Sequence, residues 1–120
     1  IYDVLAVSPQ SLAANRAEWM KVIKVWYMAV DYLKDPETRD EAISIMAARV
    51  GIPPSEYKGF IDGTKILTLE EALPFMEKAK GFKSIYGSGE IADAFNLAND
   101  VYGEKQPVDE YIDPSLMEAL

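Results

Sequence analysis

Along most of the chain apolar residues recur at three- and four-residue spacing, the period of amphipathic helices. The strongest case predicts a helix over Ala17 to Lys34. There Trp19, Val22, Ile23, Trp26, Val30 and Leu33 share one side, and Lys21, Lys24 and Asp31 face the other way. A short helix or turn over Gln10 to Asn15 precedes it. Asp35-Pro36 then suits an N-cap and a first helical position. It predicts a second long helix to about Val50, with Ala42, Ile43, Met46, Ala47 and Val50 inward, closed by Gly51 in the left-handed position. Ser55 to Ile61 reads as a shorter helix with Tyr57, Phe60 and Ile61 on one side and Gly63 as its stop.

Thr68-Leu69-Glu70-Glu71 has the spacing of a capping box. The helix it opens meets Pro74 within two turns, so a bend or a late start is expected there. Three glycines make Gly81 to Gly89 a predicted loop. Ile91, Ala94, Phe95, Ala98, Val101 and Tyr102 then restore helical spacing as far as Gly103, and Asp113-Pro114 caps a last turn, Ser115 to Leu120.

One segment breaks this period. Ile1 to Val7 (I-Y-D-V-L-A-V) is short and almost continuously apolar, the pattern of a strand buried on both faces, and Ser8-Pro9 ends it. The residues alone therefore predict a mainly α chain with one N-terminal β-strand. Ile66-Leu67 and Tyr111-Ile112 are too short to partner it. A lone buried strand leaves two rows of backbone groups unsatisfied, so its neighbours are expected from outside these residues. Pairing between copies through Ile1 to Val7, giving a homo-oligomer, is one expected consequence.

Composition narrows the function. The 120 residues carry 12 Lys and Arg against 20 Asp and Glu, a net charge of −8, which disfavours nucleic acid and anionic membrane as partners. With no His and no Cys, nucleophilic triads, thiolate metal sites and disulfides are excluded, and no enzymatic role is expected. No apolar run approaches the roughly 20 residues of a membrane span. The chain opens on Ile1 without a basic lead, so no signal peptide is read, and either a removed N-terminal part or a piece of a longer protein is expected.

Several constellations could carry chemistry. The carboxylates of Asp35, Glu37, Asp40 and Glu41 could hold a hard cation, but acidic residues in a helix's first turn serve its dipole, so no metal or catalytic residue is assigned. Gly87-Ser88-Gly89-Glu90 could offer N–H groups to an anion, yet it has no Lys and Glu90 opposes one. Trp19, Trp26, Tyr27 and Tyr32 could stack on a ring-bearing ligand, although aromatics at this spacing serve a core. Ser8 and Gln10 differ, because they follow the carboxyl end of the predicted strand, where α/β sheets bind small molecules. They are the candidate ligand-binding residues, and no cofactor is expected.

The order of several strings resembles a known family. D-V-L-A-V-S-P-Q-S-L-A-A-N at Asp3 to Asn15 comes first, followed by A-V-D-Y-L-K-D-P-E at Ala29 to Glu37 and E-A-I-S-I-M-A at Glu41 to Ala47. V-G-I-P-P-S-E-Y at Val50 to Tyr57, L-T-L-E-E-A at Leu67 to Ala72, S-I-Y-G-S-G-E-I-A-D-A-F and Y-I-D-P-S-L complete the series. Together they resemble the C-terminal portion of solute-binding proteins of ABC importers. The nitrate, sulfonate and taurine type, related to binders of thiamine pyrimidine precursors, is the nearest in pattern.

The resemblance implies the C-terminal part of an α/β lobe of a periplasmic-binding-protein-like (type II) fold, with residues 1–120 forming a single, incomplete region. It further implies capture of a small anionic or heteroaromatic solute, delivery to importer membrane subunits, and a periplasmic or cell-surface location. The alternative reading is a free-standing α-helical module that docks a partner through its aromatic helix.

Overall fold

A computed structural model describes residues 2–120. Among them the architecture is entirely helical: α1 (Pro9–Ala14), α2 (Arg16–Lys34), α3 (Arg39–Val50), α4 (Pro54–Asp62), α5 (Leu69–Ala72), α6 (Ile85–Ala98), α7 (Val108–Tyr111) and α8 (Ser115–Glu118). A 3-10 turn, Leu73–Met76, continues α5. No helix among these residues is long and apolar enough to cross a membrane.

The expected N-terminal strand is not formed. Residues 2–7 have no regular secondary structure, and Ile1 lies outside the described residues. Val4 and Leu5 are 63% and 61% exposed, so the apolar run is not a buried one. A strand exists only by pairing with a ladder, and no other segment here is extended enough to pair with it. The expected α/β lobe is overturned with it, since among the described residues there is no sheet for the helices to cover.

The segment is held by its side chains instead. Tyr2 packs edge-on against Phe75 with ring centroids 6.0 Å apart, and its hydroxyl donates to the Phe82 carbonyl at 2.5 Å.

The helices form where capping and period coincide. Asn15 ends α1 and precedes α2, so the two follow one another with a single residue between them. Between α2 and α3, the Asp35 carboxylate accepts the Glu37 N–H at 2.9 Å and makes a turn of residues 35–38. The helix consequently starts at Arg39, three residues later than the Pro36 start that Asp35 as a cap would require. Gly51 ends α3 at φ +82, as the spacing anticipates.

The capping box at α5 is complete: the Glu71 N–H donates to Thr68 Oγ1 at 3.2 Å, and the Thr68 N–H donates to the Glu71 carboxylate at 2.9 Å. Pro74 then tightens the continuation into the 3-10 turn.

Helix α6 departs most from expectation, because it begins inside the predicted glycine loop. A Cβ on Gly87 would lie 2.5 Å from the Ala79 carbonyl and from the Gly81 backbone, and one on Gly89 would lie 2.8 Å from Val108. These glycines are helical residues that let other segments come close, not loop punctuation. The helix stops at Ala98, before Val101.

The main core joins α2, α3 and α4, where Leu33, Ala42, Ile43 and Ile61 are buried with Met46, Tyr57 and Ile66 packed against them. Helix α8 packs on α2, with Leu116 buried, while α6 packs on α7 beside buried Tyr86 and Val108. Val50, expected inward, is exposed, and Phe60 is exposed beside Tyr57.

The packing leaves much unburied. The radius of gyration is 17.1 Å, against about 14 Å for a compact domain of this length. The accessible surface is 8838 Å², against about 6,500 Å² for a compact monomer of the same mass.

Candidate functional site

Ser8 and Gln10 stand at the start of α1. The Ser8 side chain accepts the Ser11 N–H at 3.2 Å and so serves as the helix N-cap. Gln10 is exposed in the first turn. Next to them runs a shallow groove of about 210 Å³ lined by Ser11, Asn15, Glu18, Trp19 and Val22. Trp19 Nε1 donates to Ser11 Oγ at 3.1 Å and fixes its floor. Neither Ser8 nor Gln10 lines this groove.

The aromatic residues of α2 divide between two sides of the helix. Trp19 and Tyr27 are half-buried, and burial raises the Tyr27 phenol above its ordinary value. Trp26 is 59% exposed. Tyr32 is exposed as well, and its hydroxyl donates to Glu41 at 2.7 Å, a bond that pushes its phenol upward. The four rings form no single stacking platform, so the aromatic helix offers a second, open apolar stripe of Val22, Val25, Trp26, Ala29 and Tyr32.

The acidic group around α3 is spent locally. Asp35 caps a turn and Glu41 holds Tyr32. No three carboxylates among the described residues converge as ligands of one metal ion. The Gly87 N–H faces the Ser84 hydroxyl at 3.5 Å, and the Ser88 N–H donates to the Ser84 carbonyl at 2.9 Å. The backbone of Ala79 and Gly81 closes over the same turn, leaving no open nest for an anion.

A larger depression, about 320 Å³, opens between α2, the α3 start, the α4 end and residues 64–71. Leu33, Ile61 and Ile66 form its apolar floor. Ion pairs cross its rim: Lys34 reaches Glu71, and Arg39 reaches Asp62 at 2.9 Å while also donating to the Leu33 carbonyl at 3.3 Å. Glu71 is held down to about 2 by Lys34 first and by the Thr68 N–H second. Asp62 is lowered by Lys58 first and Arg39 second.

Each cation on this rim but one is matched by a carboxylate; Lys65 lies over the Phe75 ring, 5.7 Å from its centroid. The arrangement is a clasp joining segments far apart in the chain. Spacing in the sequence does not reveal it, because Lys34 and Glu71 are separated by 37 positions.

Comparison with protein-family models, with curated proteins and with solved structures gives no match.

Proposed function

We propose that this chain is the helical part of a solute-binding protein serving an ABC importer, one that captures a small anionic or heteroaromatic solute outside the cytoplasm and hands it to the membrane subunits. The specific identity rests on the ordered strings from Asp3 to Leu116. The structural observation in its favour is the surface left uncovered.

The accessible area exceeds that of a compact monomer by about 2,300 Å², more than the roughly 800 Å² each partner contributes to a standard interface. Val22, Val25, Trp26, Ile45 and Phe95 all contribute to it. Surface on this scale belongs to a part whose core is completed by further polypeptide. In this reading the chain binds its solute only together with that polypeptide, and its role is capture and closure without covalent chemistry.

The test is to read the encoding gene on both sides of these codons and express the whole product. Thermal unfolding with nitrate, taurine and a pyrimidine precursor should show a rise for at least one of them. A reading frame confined to these 120 residues would overturn the proposal.

The exposure of Trp26 favours the free-standing interaction module as a second reading. In that case the 120 residues alone should form a stable monomer with red-shifted, quencher-accessible Trp fluorescence. Under the first reading the Trp emission should shift to the blue in the whole product.

A further inference from the structure

The chain carries a net charge of −8, yet residues 78–89 contain Lys78, Lys80 and Lys83 and no acid. In the middle of this run stands Phe82, 73% exposed, more than any other large apolar side chain described. An exposed Phe among lysines on an otherwise acidic protein is unusual enough to ask what holds it there.

The backbone beneath it is fastened from three sides. The fully buried Ser84 hydroxyl donates to the Glu77 carbonyl at 2.7 Å and accepts the Ala79 N–H at 3.4 Å, tying the loop's two ends together. Gly81 turns the chain at φ +86, and its backbone lies against Gly87 so closely that no Cβ would fit. From the other side Tyr2 donates its hydroxyl to the Phe82 carbonyl at 2.5 Å.

Lys78 is fixed as well, 3.2 Å from Asp109 and 5.3 Å from the centre of the Tyr86 ring. Lys80 and Lys83 make no ion pair among the described residues. Lys65, over the Phe75 ring that Tyr2 touches, extends the positive rim, while Glu77 and Asp109 border it on one flank.

We infer that this loop is a preformed recognition element for an acidic protein partner, with Phe82 entering an apolar recess and Lys80 and Lys83 meeting carboxylates around it. A rigid loop loses little conformational entropy on docking, so most of the contact energy of the ring is retained as affinity. Aromatic residues are enriched at interface cores, and charges at the rim select a partner of opposite sign and speed its approach.

The lysines also separate this patch from the apolar face of α2. Amines resist full burial, so the surface that covers Phe82 leaves its rim wet, as a reversible contact does. An anionic bilayer suits the patch less well, because an extended charged plane faces the acidic surface around the loop as well as its lysines, whereas a partner's local carboxylates lie within a Debye length of the lysines alone. The inference does not depend on the solute-binding reading.

The test is to pan a random dodecapeptide display library on the full chain and to measure the selected peptides by titration. The expected peptides are rich in Asp and Glu around one apolar residue, and their binding weakens at least ten-fold for F82A and for K80E/K83E. It stays within about two-fold for K80R/K83R, and circular dichroism of all variants should be unchanged, since these side chains are exposed. Selected peptides without acidic enrichment, or peptides that bind F82A and K80E/K83E as well as the parent, would overturn the inference. So would the absence of any enriched peptide; sedimentation of the chain on phosphatidylserine vesicles that is lost in K80E/K83E would then assign the loop to a membrane.

Discussion

Lys34, at the end of α2, and Glu71, in the first turn of α5, meet at the same carboxylate oxygen that closes the capping box of α5. One Glu71 oxygen therefore accepts from the Lys34 amine and from the Thr68 N–H, and a local cap doubles as a link between distant helices. Its depressed ionisation, at about 2, follows from the two donors together.

The sign of the resulting pH dependence follows from that depression. Glu71 binds its proton less readily in the folded chain than in the unfolded one, where its ordinary value is 4.5. Its stabilising contribution is complete above about pH 4.5 and is lost as pH falls toward 2. A carbon-detected NMR titration should place the Glu71 midpoint at about 2, well below its ordinary 4.5, and K34M should move it up. A Glu71 midpoint in the ordinary range in the parent chain would contradict the shared-oxygen geometry.

The cap itself is testable apart from the ion pair. T68A removes the hydroxyl that accepts the Glu71 N–H and should lower stability by about 1 kcal/mol in urea unfolding. Under the same conditions T64A, whose hydroxyl donates to the Phe60 carbonyl at 2.9 Å just past the end of α4, should cost less.

Three glycine-to-alanine changes should separate cleanly. G87A places a methyl 2.5 Å from backbone atoms of Ala79 and Gly81 and should cost about 3 kcal/mol or abolish folding. G51A meets no neighbour but holds φ at +82, a strain of about 1–2 kcal/mol. G59A, in open space inside α4, should stabilise by about 0.5–1 kcal/mol. Ranked melting temperatures of the three variants provide the check.

Two buried polar side chains act as pins. Ser84→Ala strands the Glu77 carbonyl and the Ala79 N–H and should cost about 1–3 kcal/mol. Asp93, buried in α6, accepts the Tyr102 hydroxyl at 3.0 Å and the Gln106 N–H at 2.9 Å. D93A should loosen residues 102–106, seen as faster amide hydrogen exchange at Gln106, with the α2–α3 exchange rates unchanged.

Core and face substitutions should respond differently in the isolated chain. L33A opens the α2–α3–α4 core and should cost about 2–5 kcal/mol. W26S, on the open stripe, should fall within about 0.5 kcal/mol of the parent by urea unfolding. A large loss for W26S in the monomer would mean that Trp26 is packed within this chain after all.

The helical period of α2, the Thr68 to Glu71 spacing and the Gly51 stop were legible because each is a local pattern with a local cause. The start of α3 was not, since Asp35 could cap a helix or a turn, and its bond to the Glu37 N–H settles the choice. Glycines 87 and 89 misled for a related reason: composition reads them as a loop, whereas the close approach of Ala79, Gly81 and Val108 requires them within a helix.

The run at residues 2–7 was ambiguous in kind. A short apolar segment fits a buried strand only where a ladder exists, and a ladder is a property of other segments. The reading of Ser8 as a cleft residue leans on that strand, whereas its side chain caps α1. The basic character of residues 78–83 was visible in the residues themselves, but the clasp that holds Phe82 out of the fold links positions that no period connects.

The uncovered apolar skin of this chain also sets how its abundance is governed. In the proposed reading the cover is further polypeptide of the same product, so residues 2–120 should melt higher and resist proteolysis better within the whole product than alone. Produced without that cover, the chain would be a client of chaperones and proteases, and its steady level would fall.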